Sequence, residues 1–298
     1  MKSGFVSLIG RPNAGKSTLL NHILGEKIAI VSDKPQTTRN RILGIYNDKD
    51  SQVIFVDTPG VHKPRHRLGE YMAEATNAGL FEGDIVYYVV DATKAFGGGE
   101  AYIIERFKRL KMPVYLLLNK IDLLAKEDLL ALIAQWQERY NFTEIFPISA
   151  LQGDNVDRLL EVTLKALPEG IAYYPSDIIT DQPERQVVAE LIREKVFMLT
   201  EEEIPHSTAV TIELMERRER DDKLIIHGLI YVERDSQKGM VIGKGGKLLK
   251  QIGILARKDI EHLLGEEVYL KLWVKVKRDW QDKGHILLEL GFDKSNLM

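Results

Sequence analysis

Short apolar runs alternate with longer stretches of helical periodicity over the first 167 residues of the chain. Five runs rich in β-branched and aromatic residues have the length of buried strands, and they cover residues 5–9, 53–56, 85–90, 114–118 and 145–148. Between these runs, apolar residues recur at helical spacing, as they do over residues 18–24 and 128–140. This alternation predicts an α/β fold in which helices cover a mainly parallel sheet.

The pattern changes after residue 168. Residues 168–183 contain three prolines and one glycine and have no clear period, which is typical of a linker between domains. Beyond them the order becomes helix, strand, strand, one or two helices and strand, over residues 186–199, 207–217, 223–232, 246–264 and 268–277. We therefore predict an α/β domain (1–168), a linker (169–185), a smaller α+β domain (186–280) and a C-terminal tail (281–298).

Composition narrows the possible chemistry. The chain has 298 residues, of which 44% are hydrophobic, and this is enough apolar material for two packed domains. It has no cysteine, which excludes disulfides and thiolate catalysis and is typical of a reducing compartment. Residues 1–10 lack the pattern of a secretory signal, and the apolar runs are too short to cross a bilayer. We therefore expect a cytoplasmic protein.

A glycine-rich loop directly follows the first predicted strand. Residues 10–17 match Gly-x-x-x-x-Gly-Lys-Ser, and a helical run comes next, which is the setting of a phosphate-binding loop. The backbone N–H groups of such a loop surround an oxyanion, Lys16 can neutralise the β- and γ-phosphates, and Ser17 can bind Mg²⁺. The predicted nucleotide contacts here are Gly10, Arg11, Pro12, Asn13, Ala14, Gly15, Lys16, Ser17 and Thr18.

The identity of the base is indicated by a motif after the fourth predicted strand. Residues 119–122 read Asn-Lys-Ile-Asp, and the Asp122 carboxylate can accept hydrogen bonds from both N1–H and N2–H₂ of guanine. Adenine would leave that carboxylate without donors, which costs several kcal/mol when the group is buried. We expect Asn119 to brace the loop, Lys120 to lie over the base, and Ser149 and Ala150 to form a second contact with it. The sequence therefore predicts GTP and GDP as ligands.

Two segments between these motifs are predicted to sense the γ-phosphate. Asp57-Thr58-Pro59-Gly60 fits Asp-x-x-Gly, in which Asp57 reaches Mg²⁺ through water and the Gly60 N–H faces the γ-phosphate. Thr37 and Thr38 lie upstream, and we expect Thr38 to join the Mg²⁺ ligands when GTP is bound. The predicted magnesium ligands are Ser17, Thr38 and Asp57, and the groups predicted to act in hydrolysis are Lys16, Thr38 and Gly60.

In this order the five nucleotide motifs resemble those of the translation-factor class of regulatory GTPases. Asn13, together with the Thr37-Thr38-Arg39 triplet, resembles the potassium-dependent branch, which implies that Asn13 helps to hold K⁺ near the phosphates. Val61 follows Gly60 where Ras-type proteins carry the glutamine that orients the attacking water. Slow, Mg²⁺-dependent, switch-like GTP hydrolysis is therefore expected, resting on positioning and electrostatics.

The second domain carries a Gly-x-x-Gly loop at residues 243–246. Residues 236–258 around it contain six basic residues and no acidic ones, which favours contact with phosphates. The loop resembles that of KH domains, and the order of elements resembles the bacterial type II arrangement. The predicted RNA contacts are Val241, Ile242, Gly243, Lys244, Gly245, Gly246, Lys247 and Lys250. Trp273 falls on a basic face of the last predicted strand. Its ring could either pack within the protein or stack on a base, and the sequence leaves both interpretations open.

A GTPase of this branch joined to a KH domain resembles the Era-type GTPases, and the match spans essentially the whole chain. The resemblance implies binding to the 3′ end of 16S ribosomal RNA, action in assembly of the small (30S) ribosomal subunit and peripheral contact with the cytoplasmic membrane; we also expect a monomer. One alternative is a regulatory GTPase whose KH-like domain is an adaptor for protein or membrane partners. Another is an RNA-modifying enzyme, but no second catalytic constellation is evident after Pro168.

Overall fold

The computed structural model describes residues 1–34, 36–61, 64 and 66–294, with residues 81 and 82 described by their backbone. The first domain contains the strands β1 (Lys2–Ile9), β2 (Ile42–Asp48), β3 (Ser51–Asp57), β4 (Ile85–Asp91), β5 (Val114–Asn119) and β6 (Glu144–Ile148). Its helices are α1 (Lys16–Leu24), α2 (Arg67–Glu82), α3 (Gly98–Phe107), α4 (Lys126–Gln137) and α5 (Val156–Ala166).

These strands form one sheet in the order β2-β3-β1-β4-β5-β6. Every neighbouring pair is parallel except β2 and β3, which form an antiparallel hairpin. Strand β4 shows why the sheet is buried on both sides, because its residues alternate between two cores. Tyr87 and Val89 pack with residues of α1 and α5, whereas Tyr88 and Val90 pack with residues of α3 and α4. The predicted α/β class is confirmed.

The second domain contains the helices α6 (Glu184–Leu199), α7 (Ile204–Ser207), α8 (Asp235–Ile242), α9 (Lys247–Leu264) and α10 (Gly284–Glu289). Its strands are β7 (Ala209–Arg217), β8 (Leu224–Val232) and β9 (Val268–Val276), in the order β7-β8-β9. Strands β7 and β8 are antiparallel, and β8 and β9 are parallel. One face of the sheet packs against α6 and α9 in a separate hydrophobic core, which confirms the predicted α+β domain.

Some elements were not predicted from the sequence, among them β2, α7, α8 and α10. Strand β2 was not predicted, and it adds the antiparallel edge of the first sheet. The segment predicted as a C-terminal tail contains α10, whose Ile286 and Leu287 share a hydrophobic cluster with Leu68 and Met72 of α2. Residues 295–298 lie outside the described part of the chain. Among the described residues, no helix is both long enough and apolar enough to span a bilayer.

Candidate nucleotide site and RNA interface

The glycine-rich loop joins β1 to α1 and packs tightly against the carboxyl ends of the neighbouring strands. Gly15 has a φ of 99°, in the left-handed region, and a Cβ at this position would lie 2.1 Å from Asn119 Nδ2. A Cβ on Gly10 would lie 2.3 Å from the carbonyl oxygen of Val89. Side chains at these two positions would push the loop off the sheet, so packing requires glycine at both, and the backbone conformation requires it at Gly15 as well.

Lys16 begins α1 and folds back over the loop. Its ammonium group lies 3.3 Å from the Gly10 carbonyl oxygen and 3.2 Å from that of Arg11, and the residue is only 6% exposed. Burial lowers the pKa of Lys16, and the charge of Asp57 opposes this shift. The hydrogen bonds of this buried cation go to two neutral carbonyl oxygens. It is well placed to bind a polyanion, because phosphate oxygens would give it negatively charged partners.

Three oxygens converge beside this lysine. The Ser17 hydroxyl lies 2.6 Å from Asp57 Oδ2 and 3.0 Å from the Thr38 hydroxyl. Asp57 Oδ1 is buried and has no hydrogen-bond partner among the described residues. Burial raises the pKa of Asp57, while Lys16 and the hydrogen bond from Ser17 lower it. A set of hard oxygen donors with one oxygen left unsatisfied fits Mg²⁺.

The segment after Asp57 lies directly on the phosphate-binding loop. A Cβ on Gly60 would lie 2.5 Å from the Pro12 nitrogen, and the Val61 N–H donates to the Gly10 carbonyl over 3.1 Å. Thr58 does not face the cavity, because its hydroxyl donates to the Leu8 carbonyl over 2.9 Å. The Pro59 carbonyl accepts from Thr76 over 2.9 Å. Of the Asp-x-x-Gly motif, therefore, only Gly60 lines the cavity.

Asn119 holds the two ends of the site together. Its amide donates to the Ala14 carbonyl over 2.8 Å, and its Oδ1 accepts from the Ala150 N–H over 2.9 Å. This one side chain connects the phosphate-binding loop to the loop that was predicted to contact the base. Lys120 follows with a left-handed φ of 70°, and its ammonium group lies 2.6 Å from Asp91 at the end of β4.

The cavity enclosed by these loops has a volume of about 580 Å³, which is adequate for a nucleotide. Most of the predicted nucleotide residues line it: Pro12, Asn13, Gly15, Lys16, Ser17, Thr18, Thr37, Thr38, Gly60, Asn119, Lys120, Asp122, Ser149 and Ala150. Gly10, Arg11, Ala14, Asp57, Thr58 and Pro59 do not. Asp91, Thr93, Lys94 and Leu151 line it without having been predicted. Asp91 could have been identified from the sequence, because it is a lone acidic residue at the end of an apolar strand, next to the strand that carries the Asn-Lys-x-Asp motif.

Arg39 connects the nucleotide site to the second domain. It follows the cavity residue Thr38, yet its guanidinium group is buried and donates to the carbonyls of Thr208, His206 and Pro205 over 2.6, 2.9 and 3.1 Å. From the other side, Arg193 of α6 donates to the Thr37 carbonyl. The segment predicted to sense GTP is therefore held by the second domain.

A buried carboxylate makes the second such connection. Glu194 of α6 accepts from the Val31 N–H over 3.0 Å, from Lys27 over 2.6 Å and from Lys195 over 2.7 Å. Both lysines also contact Asp259 of α9. Because Val31 lines the nucleotide cavity and α9 carries the Gly-x-x-Gly loop at its start, this charge network lies between the two candidate sites.

The Gly-x-x-Gly loop joins α8 to α9. Gly243, Gly245 and Gly246 all have positive φ, with values of 72°, 62° and 74°, so the loop depends on glycine for its shape. Lys244, Gly245 and Lys247 are exposed on it, and Gly243 and Ile242 are partly buried. Val241, predicted as an RNA contact, has no exposed surface and packs in the domain core, so its contribution is structural.

A groove of about 380 Å³ begins at this loop and runs between α9 and β9. Its lining combines apolar and basic side chains: Gly246, Leu249, Lys250, Gly253, Ile254, Arg257, Leu270, Lys271 and Leu272. Gly246 and Lys250 were predicted from the sequence as RNA contacts. The other lining residues were not, because only folding brings β9 alongside α9.

Comparisons with known proteins agree with this geometry. A family model described as 50S ribosome-binding GTPase matches residues 5–120, and a KH domain model matches residues 203–281. The structure of an Era variant from Aquifex aeolicus bound to GDP·AlF₄⁻ is 43% identical, covers 98% of this chain and 99% of that one, and gives a TM-score of 0.95. Era in complex with MgGDPNP and nucleotides 1506–1542 of 16S ribosomal RNA gives the same values.

Proposed function

Because this chain belongs to the Era family of GTPases, we propose that it binds and hydrolyses GTP and that its KH domain binds 16S ribosomal RNA during assembly of the small ribosomal subunit. The observation that carries the proposal is the match of the whole chain, with both sites, to Era structures that hold a guanine nucleotide and this RNA. An rRNA-binding GTPase works where ribosomes assemble, so we place the protein in the cytoplasm.

Hydrolysis consists of attack by a water oxygen on the γ-phosphorus, cleavage of the bond to the β–γ bridging oxygen, and release of GDP and phosphate. We assign Lys16 to the β- and γ-phosphates, the Gly60 N–H to the γ-phosphate, and Ser17, Thr38 and Asp57 to Mg²⁺. When bound, Mg²⁺ neutralises part of the phosphate charge. The Val61 side chain packs in the core on the α3 side of the sheet, which agrees with slow turnover that rests on positioning.

The nucleotide state would reach the RNA site through the contacts between the domains. GTP and Mg²⁺ favour the position of Thr38 beside Ser17, and this position places Arg39 among the carbonyls of α7. Without the γ-phosphate, Thr38 would no longer be held beside Ser17. The contacts of the adjacent, buried Arg39 would then weaken as well. We therefore propose that GTP favours the arrangement of the two domains that the structure shows.

Potassium is proposed as a second cation. The Asn13 side-chain N–H donates to the Asp33 carbonyl, so a bond to a cation would have to come from the oxygen of this side chain. We expect hydrolysis to be severalfold faster in K⁺ than in Na⁺ at equal ionic strength, measured as phosphate release. Asn13→Ala should remove this difference, and equal wild-type rates in the two salts would exclude a role for potassium.

The RNA groove is tested by one glycine and a matched control. Gly246→Asp places an acidic side chain at the entrance of the groove, and we expect at least roughly tenfold weaker binding of 16S ribosomal RNA, with GTP affinity unchanged. Gly265→Asp is the control, because Gly265 has a similar φ of 69°, also has open space around it and ends the same helix. Binding is measured by fluorescence anisotropy.

Unchanged RNA affinity of Gly246→Asp, or equal losses in the two variants, would contradict this assignment of the loop. Such a result would favour the adaptor alternative, in which the KH domain contacts a protein or a membrane. The basic groove residues Lys250, Arg257 and Lys271 favour RNA over that alternative. Peripheral membrane contact and the monomeric state stay predictions from the sequence.

A further inference from the structure

We propose that the KH domain has a second RNA-binding surface on the face of its sheet opposite to α6 and α9. This surface, called the open sheet face below, is formed by His227, Tyr269, Lys271, Trp273 and Lys275. The inference rests on the proposed function, since the RNA must first be held in the groove. What it adds is a surface for the nucleotides that leave the groove.

Strand β9 has two chemically different sides. Leu270, Leu272 and Val274 face the helices and belong to the domain core. The residues between them point the other way, and of these Tyr269 is 48% exposed, Lys271 and Lys275 are exposed and Trp273 is partly exposed. The parallel register with β8 places His227 beside Lys271, so the five side chains share one face.

Trp273 differs from the other two tryptophans in its surroundings. Trp136 and Trp280 are 2% and 0% exposed and belong to hydrophobic cores. Trp273 lies outside the core clusters that the described residues form, and a lysine and a histidine contact its ring, although the strand register also pairs it with the buried Leu229. The Lys271 ammonium lies 4.8 Å from the ring centroid, and the His227 ring approaches edge-on with 5.0 Å between centroids. Of the two interpretations left open by the sequence, these contacts favour stacking over packing.

The chemistry of the open sheet face fits single-stranded RNA. Aromatic rings provide stacking platforms for bases, and lysines beside them neutralise phosphates. Glu213 lies 3.4 Å from Lys275, but both side chains are about half exposed, so this ion pair holds the lysine only weakly. A protein partner would be expected to need a more apolar surface than two lysines, a histidine, a half-exposed tyrosine and a partly exposed tryptophan.

The open sheet face is also continuous with the groove. Lys271 lines the groove and at the same time contacts Trp273, and β9 is one of the two edge strands of the sheet. A KH loop clamps only about four nucleotides, so a longer RNA has to leave the groove. Trp273 is two residues from Lys271, or about 7 Å along the strand, which is within reach of the next nucleotides.

The test compares two lengths of RNA on the full chain. The long probe is nucleotides 1506–1542 of 16S ribosomal RNA, and the short probes are overlapping fragments of about six nucleotides from it, of which the tightest binder is kept. We expect Trp273→Leu to weaken binding of the long probe roughly 5- to 100-fold, towards the affinity of the short probe, and to leave binding of the short probe unchanged. Trp273→Phe should retain most of the affinity.

Intrinsic fluorescence gives a second readout. Because Trp136 and Trp280 are buried, quenching by the long probe and not by the short one would report a base on Trp273, and Trp273→Phe should abolish it. Unchanged binding of the long probe by Trp273→Leu, or equal losses for both probes, would overturn the inference and leave a structural or protein-binding role for the tryptophan. If the wild-type chain binds neither probe, the proposed RNA-binding function itself fails.

Discussion

Replacing Lys16 with methionine is expected to lower the rate of GTP hydrolysis roughly a hundred- to a thousandfold, because the transferred phosphoryl group loses a positioned positive charge. Methionine has a similar length and no charge, so it can fill the same buried position. The fold should be retained, since Lys16 is buried and burial of a charge, which lowers the pKa of Lys16, is unfavourable. Phosphate release at saturating GTP measures the loss, and the melting temperature of the nucleotide-free protein checks the fold.

Lys94→Met is the matched control for this variant. Lys94 lines the same cavity but is exposed and follows β4, outside the glycine-rich loop, so its loss should change the rate little. Similar losses in the two variants would mean that the cavity attracts nucleotide by its overall charge. A rate for Lys16→Met close to that of the wild type would contradict the assignment of this lysine to the phosphates.

Asp122→Asn is expected to shift the preference of the cavity from GTP to xanthosine triphosphate by roughly a thousandfold. The Asn amide would face the N2 amino group of guanine donor to donor, whereas xanthine has an acceptor oxygen at that position. Competition against a fluorescent guanine nucleotide measures both affinities. Asp128→Asn, on the exposed first turn of α4, removes the same charge away from the cavity and should leave the preference unchanged.

A variant that still prefers GTP would show that Asp122 does not read the base. Recognition of the base would then have to come from the polar groups of the loop that contains Ser149 and Ala150. Equal shifts in Asp122→Asn and Asp128→Asn would instead point to a long-range effect of charge.

The elements of the first domain were predictable where burial on both faces leaves a long apolar signature. Strand β4 is such a case, because its six apolar residues alternate between two cores. Strand β2 lacks this signature, since it pairs with β3 alone and contains Gly44. A Cβ on Gly44 would lie 2.5 Å from Leu20 of α1, so this glycine is a consequence of helix packing that no local pattern reveals.

The residues of the candidate site were also predictable only in part. The loops that surround the nucleotide cavity follow strand ends and have fixed spacing, so the motifs identified most of the lining residues. The contacts of Arg39 with Thr208 and of Arg193 with Thr37 join residues more than 150 positions apart, and only the folded chain brings them together. The same holds for α10, whose buried face meets α2 from the other end of the sequence.

Crosslinking of the protein to RNA in cells, followed by sequencing of the bound RNA, measures which RNA the KH domain holds. If this chain is a GTPase whose KH groove holds 16S ribosomal RNA, the wild-type crosslinks should concentrate at the 3′ end of that RNA and disappear in Gly246→Asp but not in Gly265→Asp. Crosslinks spread over unrelated RNAs, or a 16S signal that Gly246→Asp leaves intact, would contradict binding of 16S ribosomal RNA in the KH groove.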